Sequence, residues 1–288
     1  MKILVTGSNG QLGSELKKFS PSVTQHDFTF VDIEEMDLAS EPAILDYFEG
    51  RHFDFIINCA AYTAVDKAEE DVNTAFLINS EAVRILAEVC KAKKIRLIHI
   101  STDYVFDGLG NSLIGEDAIP NPLSVYGRSK LGGEKFVLAI LPDAYIIRTA
   151  WVYSIFGKNF VKTIATLAKS REVLNVVTDQ IGSPTSARDL AAAILHVIDS
   201  ICFKNIDGPG IYHYSNEGVI SWYDFAFFIV EHYQFPCKIN AIPSEEYKTL
   251  AVRPKFSALD KKKIRQTFGM KIPHWHQSLV ECLGELKP

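Results

Sequence analysis

The chain has 288 residues, 47% of them hydrophobic and 23% charged, with a formal net charge of −5. That is material for one large α/β domain, or a domain with a smaller companion, in the composition range of ordinary soluble globular proteins. The acidity argues against nucleic-acid and anionic-membrane partners, and the absence of any 18-residue apolar run or signal-peptide pattern argues against a membrane span or export. Five scattered cysteines (Cys59, Cys90, Cys202, Cys237 and Cys282), with no Cys-x-x-Cys pair, fit reduced thiols in a cytoplasmic protein better than a disulfide framework or a zinc site.

Lys2 to Thr6 reads as a buried strand that runs into Gly7-Ser8-Asn9-Gly10-Gln11-Leu12-Gly13 and then a helix from Gln11 to Phe19. Glycines at this spacing permit a tight turn, close approach of backbone to a pyrophosphate and close helix–strand packing. The helix N-terminus offers free N–H groups to phosphate charge. A glycine-rich loop alone is a weak signal; one that follows a strand and opens a helix is a dinucleotide site. The next strand, Phe28 to Asp32, ends on an acidic residue placed to bind the adenosine ribose hydroxyls, although a strand-end turn would also explain Asp32. No Arg or Lys flanks Ser8 or Asp32 to hold a 2′-phosphate, which tilts the reading toward NADH over NADPH. Asp37 and Leu38 follow, then a helix that starts at Ser40-Glu41-Pro42 and runs to about Phe48.

A third buried strand, Phe53 to Asn58, delivers Cys59-Ala60-Ala61-Tyr62-Thr63, where small residues let the chain pass close to a ligand at the sheet's carboxyl end. Asn73 to Lys93 is amphipathic and predicts one crossover helix; Asn79 within it either supports the site through a water or is solvated. The fourth strand, Ile95 to Ser101, presents Thr102 at its end. A loop over Leu109–Leu123 leads to a helix that begins near Tyr126 and runs to about Ile140. Ala144 to Arg148 is a further strand, followed by Trp151, a core residue or a pocket wall. Strand–helix alternation of this kind predicts a parallel sheet with right-handed crossovers.

After Trp151 the alternation loosens. Helices are expected over Asn159–Lys169, Ala187–Ile198 and Ser221–Tyr233, strands over Val173–Val177 and Gly210–Ser215, and a basic terminal helix over Leu259–Phe268. The second half is expected to return to the sheet at least once.

The chemistry centres on Tyr126 and Lys130, which share a helix face at i and i+4, with Thr102 24 residues before the tyrosine. An ammonium about 4 Å from a phenol, at an effective dielectric near 20, is worth roughly 4 kcal/mol, or about 3 pKa units. That would bring the phenol toward working pH as a general acid. A bare Tyr-x-x-x-Lys is more often a surface helix, here with Lys130 paired to Glu134.

Taken together, Gly7-x-x-Gly10-x-x-Gly13, Thr102, Tyr126 and Lys130 resemble the extended short-chain dehydrogenase/reductase family. Segments 59–69, 101–108, 125–134, 148–153 and 179–185, with Arg253-Pro254 near the end, are similar to its dTDP-4-dehydrorhamnose reductase branch. The resemblance implies an α/β fold, a Rossmann-type doubly wound parallel sheet with a smaller, discontinuous C-terminal substrate lobe. Residues 1–150, with return segments about 170–205, would bind NADPH or NADH; 151–288 would be mainly the lobe. It implies NAD(P)H-dependent reduction of the 4-keto group of dTDP-4-dehydro-β-L-rhamnose, with Tyr126 as acid, Lys130 on the nicotinamide ribose and Thr102 on the carbonyl oxygen. Cofactor contacts would come from Gly7, Asn9, Gly10, Gln11, Leu12, Gly13, Asp32, Asp37, Leu38, Ala60, Ala61, Tyr62, Thr63, Tyr126 and Lys130. Substrate contacts would come from Asp103, Tyr104, Trp151 and Arg253, the last gripping diphosphate oxygens. A homodimer is also implied, and no metal ligand set is evident. Tyr62 stands where many members carry histidine, and Lys255-Phe256 departs from the usual residues after Arg-Pro. A sugar-nucleotide epimerase with retained NAD⁺ and a non-catalytic subunit of methionine adenosyltransferase are the competing readings of the same resemblance; the intact Thr102, Tyr126 and Lys130 speak against the second.

Overall fold

The computed structural model describes residues 1–286. Its first half runs β1 (Lys2–Thr6), α1 (Gln11–Phe19), β2 (Asp27–Val31), α2 (Glu41–Phe48), β3 (Phe55–Asn58), α3 (Val65–Ala68), α4 (Val72–Phe76), α5 (Ala82–Lys93), β4 (Arg96–Thr102), α6 (Val125–Ile140) and β5 (Tyr145–Thr149). The second half runs β6 (Val152–Tyr153), α7 (Phe160–Ser170), β7 (Val173–Val177), β8 (Ile181–Gly182), β9 (Thr185–Ser186), α8 (Ala187–Lys204), β10 (Gly210–His213), β11 (Ile220–Ser221), α9 (Trp222–His232), β12 (Lys238–Ile242), α10 (Lys262–Phe268) and α11 (Trp275–Glu285). Local chemistry sets the boundaries. The Ser40 hydroxyl accepts the Ala43 N–H with Pro42 in the first turn of α2, and Ser221 with Asp224 forms a reciprocal capping box on α9.

Six strands form the main sheet in the order β10-β5-β4-β3-β1-β2, every neighbouring pair parallel. The chain leaves β1 toward β2 and then crosses back to β3 on the other side. The two connections therefore diverge beyond the carboxyl ends of β1 and β3, and that crevice is where open α/β sheets bind ligands. The strands read as apolar runs because both faces are covered. Ile3, Val5 and Ile57 pack with Leu16 of α1 and Leu190, Ile194 and Ile198 of α8. Leu4 and Ile56 face the other way, onto Ile44 of α2, Leu86 of α5 and Val137 of α6. Each such fully buried aliphatic side chain contributes roughly 1.5–3 kcal/mol. A third core joins Val161 and Ile164 of α7, Leu174 of β7, Phe225 and Ile229 of α9 and Leu279 of α11.

Two expectations need correction. The Asn73–Lys93 stretch is not one α-helix; it passes through a π turn at Leu77–Glu81 between α4 and α5. The basic helix α10 is not the last, because α11 follows it. Its start is hidden in the sequence by Pro273 and by His274, whose side chain accepts the His276 N–H as the cap. Among the described residues no helix is long and apolar enough to cross a membrane.

Candidate active site

The turn after β1 is shaped by its glycines. Gly7 has φ +65°, and a Cβ there would lie 2.7 Å from the backbone of Ala60, beyond β3. A Cβ on Gly13 would lie 2.4 Å from the Gly7 carbonyl oxygen. Side chains are excluded at both, so the strand end, the turn and α1 close on one another. Gly10 caps α1 without a side-chain hydrogen bond, which leaves the first-turn N–H groups for a ligand. Asp32, one residue past β2, accepts the Asn9 N–H at 2.8 Å and the Ile33 N–H at 2.9 Å, so its carboxylate is held at the crevice edge.

The far side of the crevice is built by α6. Ser124 caps it through the Gly127 N–H at 3.1 Å, and Glu69 accepts the Val125 N–H at 2.8 Å. A Cβ on Gly127 would lie 2.2 Å from the Tyr104 carbonyl oxygen, so only glycine lets the first turn of α6 lie on the segment after β4. Glu134 and Arg148 of β5 then clamp α6 to the sheet by two buried bonds of 2.9 and 2.6 Å. Glu134 is thus taken by Arg148 and not by Lys130.

Tyr126, Lys130, Thr102 and Asp103 are all buried. The Thr102 hydroxyl donates to Asp103 Oδ1 at 3.0 Å and accepts the Tyr104 N–H at 3.2 Å. Burial pushes the Tyr126 phenol up to about 12, a rise that the neighbouring Thr102 hydroxyl moderates. Burial also pushes Lys130 down to about 8, against the attraction of Glu134 and Cys59. The ammonium is docked on the Ile100 carbonyl at 2.7 Å, with His99 Nε2 at 3.4 Å. The expectation that Lys130 draws the phenol down is not met: burial dominates and raises the phenol, and the ammonium is held by the Ile100 carbonyl. Asp103 is raised to about 6 by burial, opposed by the hydroxyls of Ser257 and Thr102.

Both sides open on one cleft of ≈ 750 Å³. Of the residues singled out in the sequence, Gly7, Gly10, Gln11, Leu12, Asp32, Asp37, Leu38, Ala60, Ala61, Thr63, Thr102, Asp103, Tyr104, Tyr126, Lys130 and Trp151 line it. Asn9, Gly13, Tyr62 and Arg253 are not on its wall. Asn9 and Gly13 act through the turn. Tyr62 hydrogen-bonds Asp71 through its phenol at 3.2 Å. Arg253 is gripped by both carboxylate oxygens of Asp66 at 3.0 and 2.7 Å. Trp151 has φ +49° and stacks on Trp222 at 3.7 Å between centroids, with Gly182 leaving room for the indole.

Sequence reasoning left one contributor open, Asn79, and missed two others. Asn79, in the π turn, is neither solvated nor on the wall: it is fully buried and holds the Tyr62 backbone from both sides, accepting its N–H at 2.8 Å and donating to its carbonyl at 3.0 Å. The same amide donates to Ser129 of α6 at 3.0 Å. The signal was Gly132-Gly133 inside α6, a costly pair for a helix interior, needed because a Cβ on Gly133 would lie 2.3 Å from the Asn79 carbonyl oxygen. Gly157, Lys158 and Asn159 also line the cleft, and Asn159 donates to Gln11 Oε1 at 2.9 Å. That bond ties the segment before α7 to the glycine turn. Finally, Thr6, Asn58 and His99 form a buried polar row beneath Lys130.

The whole chain has relatives. The dTDP-4-dehydrorhamnose reductase of Aggregatibacter actinomycetemcomitans is 38% identical over 284 residues, covering 96% of this chain and 97% of that one. The spore coat polysaccharide biosynthesis protein SpsK of Bacillus subtilis is 37% identical over 286 residues, covering 99% and 97%. Among solved structures, a dTDP-4-dehydrorhamnose reductase of Clostridium acetobutylicum superposes with TM-score 0.93 at 41% identity, covering 99% of both chains. The Bacillus anthracis dTDP-4-dehydrorhamnose reductase in complex with NADP gives TM-score 0.93 at 35% identity, again over 99% of each. With residues 1–287 matching the model described as the RmlD substrate binding domain, the chain belongs to that family.

Proposed function

We propose that this protein reduces the 4-keto group of dTDP-4-dehydro-β-L-rhamnose to give dTDP-L-rhamnose, with NADPH or NADH as reductant. The observation that carries this reading is that a dinucleotide-type glycine turn and a buried Thr102–Tyr126–Lys130 cluster open on the same cleft. The cofactor fits the residues present: the Gly7 turn is a cradle that a single Cβ would fill, and Asp32 is held ready for ribose hydroxyls. When bound, the reduced nicotinamide supplies the hydride. Tyr126 keeps its proton at neutral pH, because burial holds the phenol at about 12, and a sugar alkoxide is a stronger base than a phenolate and takes that proton. Thr102 turns its hydroxyl from Asp103 to the carbonyl oxygen, and Lys130 leaves the Ile100 carbonyl for a ribose hydroxyl. Asp103, Tyr104 and Trp151 hold the sugar nucleotide. Arg253 is kept near Tyr104 by Asp66 for the diphosphate; the coulombic influence of Arg253 on Tyr104 fits that placement. Lys158, the one cation besides Lys130 on the described wall, is a further phosphate partner.

The same reading divides the chain into a dinucleotide-binding part, residues 1–150 with returning segments, and a substrate lobe drawn mainly from 151 onward. It also takes the protein as a cytoplasmic homodimer, in keeping with five free cysteines and the exposed Leu109 and Ile119 on the loop after β4. The test is a turnover assay with both cofactors. Oxidation of NADH or NADPH that starts only when dTDP-4-dehydro-β-L-rhamnose is added, with dTDP-L-rhamnose formed, supports the reading. An isomeric sugar without net oxidation would make the protein an epimerase, and no turnover with either cofactor would remove the enzymatic reading.

A further inference from the structure

Four buried polar side chains cross the sheet beneath the cleft, and the reaction as described uses only the last of them. Thr6 ends β1, Asn58 ends β3, His99 lies in β4 and Lys130 projects from α6; none is more than 1% exposed. Thr6 Oγ1 lies 2.7 Å from Asn58 Oδ1, Asn58 Nδ2 lies 3.1 Å from His99 Nδ1, and His99 Nε2 lies 3.4 Å from Lys130 Nζ. The row has one consistent assignment of hydrogens for each charge of the lysine. If Thr6 donates to the Asn58 oxygen, the amide N–H faces His99 Nδ1, which must be a lone pair. The neutral ring then carries its proton on Nε2, facing Lys130. A ring N–H facing an ammonium is two donors without an acceptor, so this arrangement suits only a neutral lysine. If Lys130 is charged, it donates to Nε2, the ring proton sits on Nδ1, and the Asn58 amide is turned over so that its oxygen accepts from His99 and its N–H donates to Thr6. Among the heavy atoms the two states differ only in the interchange of Asn58 Oδ1 and Nδ2.

We infer that His99 is a positioning residue for Lys130: its tautomer, set together with the Asn58 amide and the Thr6 hydroxyl, decides whether the buried amine is held as an acceptor or as an ammonium. On going from one state to the other, one N–H bond of the ammonium breaks and its proton leaves to the cleft. The imidazole stays neutral, giving its Nδ1 proton to solvent and taking one from solvent on Nε2, while the Asn58 amide turns over; no other covalent bond changes. Burial with Lys130 alongside holds the ring far below its usual protonation range, which keeps it neutral in both states. The other groups that face Lys130 are Glu134 on its own helix, which favours the ammonium but is already engaged by Arg148 of β5, and Cys59 after β3, whose thiol burial keeps protonated. A fixed charge there cannot relieve the lysine, whereas an imidazole with two tautomers can.

The inference rests on the proposed reductase reading only in its kinetic arm. Nitrogen-15 spectra of the histidines in the full ligand-free chain, with His99 assigned from His99→Gln, read the tautomer directly. The expected result is Nδ1–H at about pH 6, passing to Nε2–H as the pH rises through the lysine's range near 8. A single tautomer throughout would overturn the inference whatever the enzyme does. In turnover, the wild-type rate is expected to fall as Lys130 loses its proton. His99→Gln offers a permanent acceptor and is expected to move that alkaline limb up by about one pH unit; His99→Leu, with no acceptor, is expected to move it down. A limb unmoved in both variants, even with lowered stability, would leave His99 a packing residue only.

Discussion

On the side of β1, β2 and β3 the cleft is shaped by residues placed by what they lack: Gly7 and, behind the wall, Gly13 have no room for a Cβ, and Ala60 and Ala61 leave space for a ligand. On the side of β4 and α6 it is buried side chains, placed by their partners: Thr102 on Asp103, Lys130 on Ile100, Glu134 on Arg148. The first side recognises a shape common to many dinucleotides at little electrostatic cost. The second keeps a phenol, an amine and a carboxyl out of water, and its ionisations are displaced accordingly. The difference teaches that the binding half should be sensitive to added atoms and the chemical half to deleted ones.

That contrast can be broken by experiment. The largest effect on stability is expected from Glu134→Ala, which leaves the fully buried Arg148 guanidinium without its partner. A loss of about 3–5 kcal/mol in urea unfolding is expected, against a small effect if the clamp is dispensable. Gly7→Ala comes next. Its left-handed φ and the collision with Ala60 together cost about 2–4 kcal/mol, and cofactor affinity should fall with them. Near-wild-type cofactor affinity in this variant would remove the argument from excluded space. Asn79→Ala sharpens the comparison, because Asn79 touches both halves, the Tyr62 backbone on one and Ser129 on the other. It should cost about 1–3 kcal/mol and weaken cofactor binding and turnover together, where a residue of one half would move only one of them.

The sequence carried the binding half well. A strand, three glycines and a helix lie in a continuous stretch, and α1 and α2 end at Phe19 and Phe48 as the pattern predicts. The chemical half was legible only through its motifs. Thr102, Tyr126 and Lys130 meet because β4 and α6 pack together, and no local pattern states what surrounds them once they do. The spacing of Tyr126 and Lys130 suggested an ammonium acting on a phenol; burial, the Ile100 carbonyl and His99 claim that ammonium instead. Likewise Asn79 looks like any polar residue on an amphipathic stretch until the π turn swings it inward. Its trace was Gly132-Gly133, a weakness in α6 that only close packing justifies. Asn159 reaches Gln11 across most of the first half of the chain, a contact that depends on how the second half docks.

The most direct test of the account is Tyr126→Phe, measured for cofactor affinity and for the rate of hydride transfer in a single turnover. Loss of the one proton donor with the glycine turn intact predicts unchanged cofactor affinity and a rate lower by roughly 10²–10⁴-fold. Full wild-type rate in that variant would contradict it.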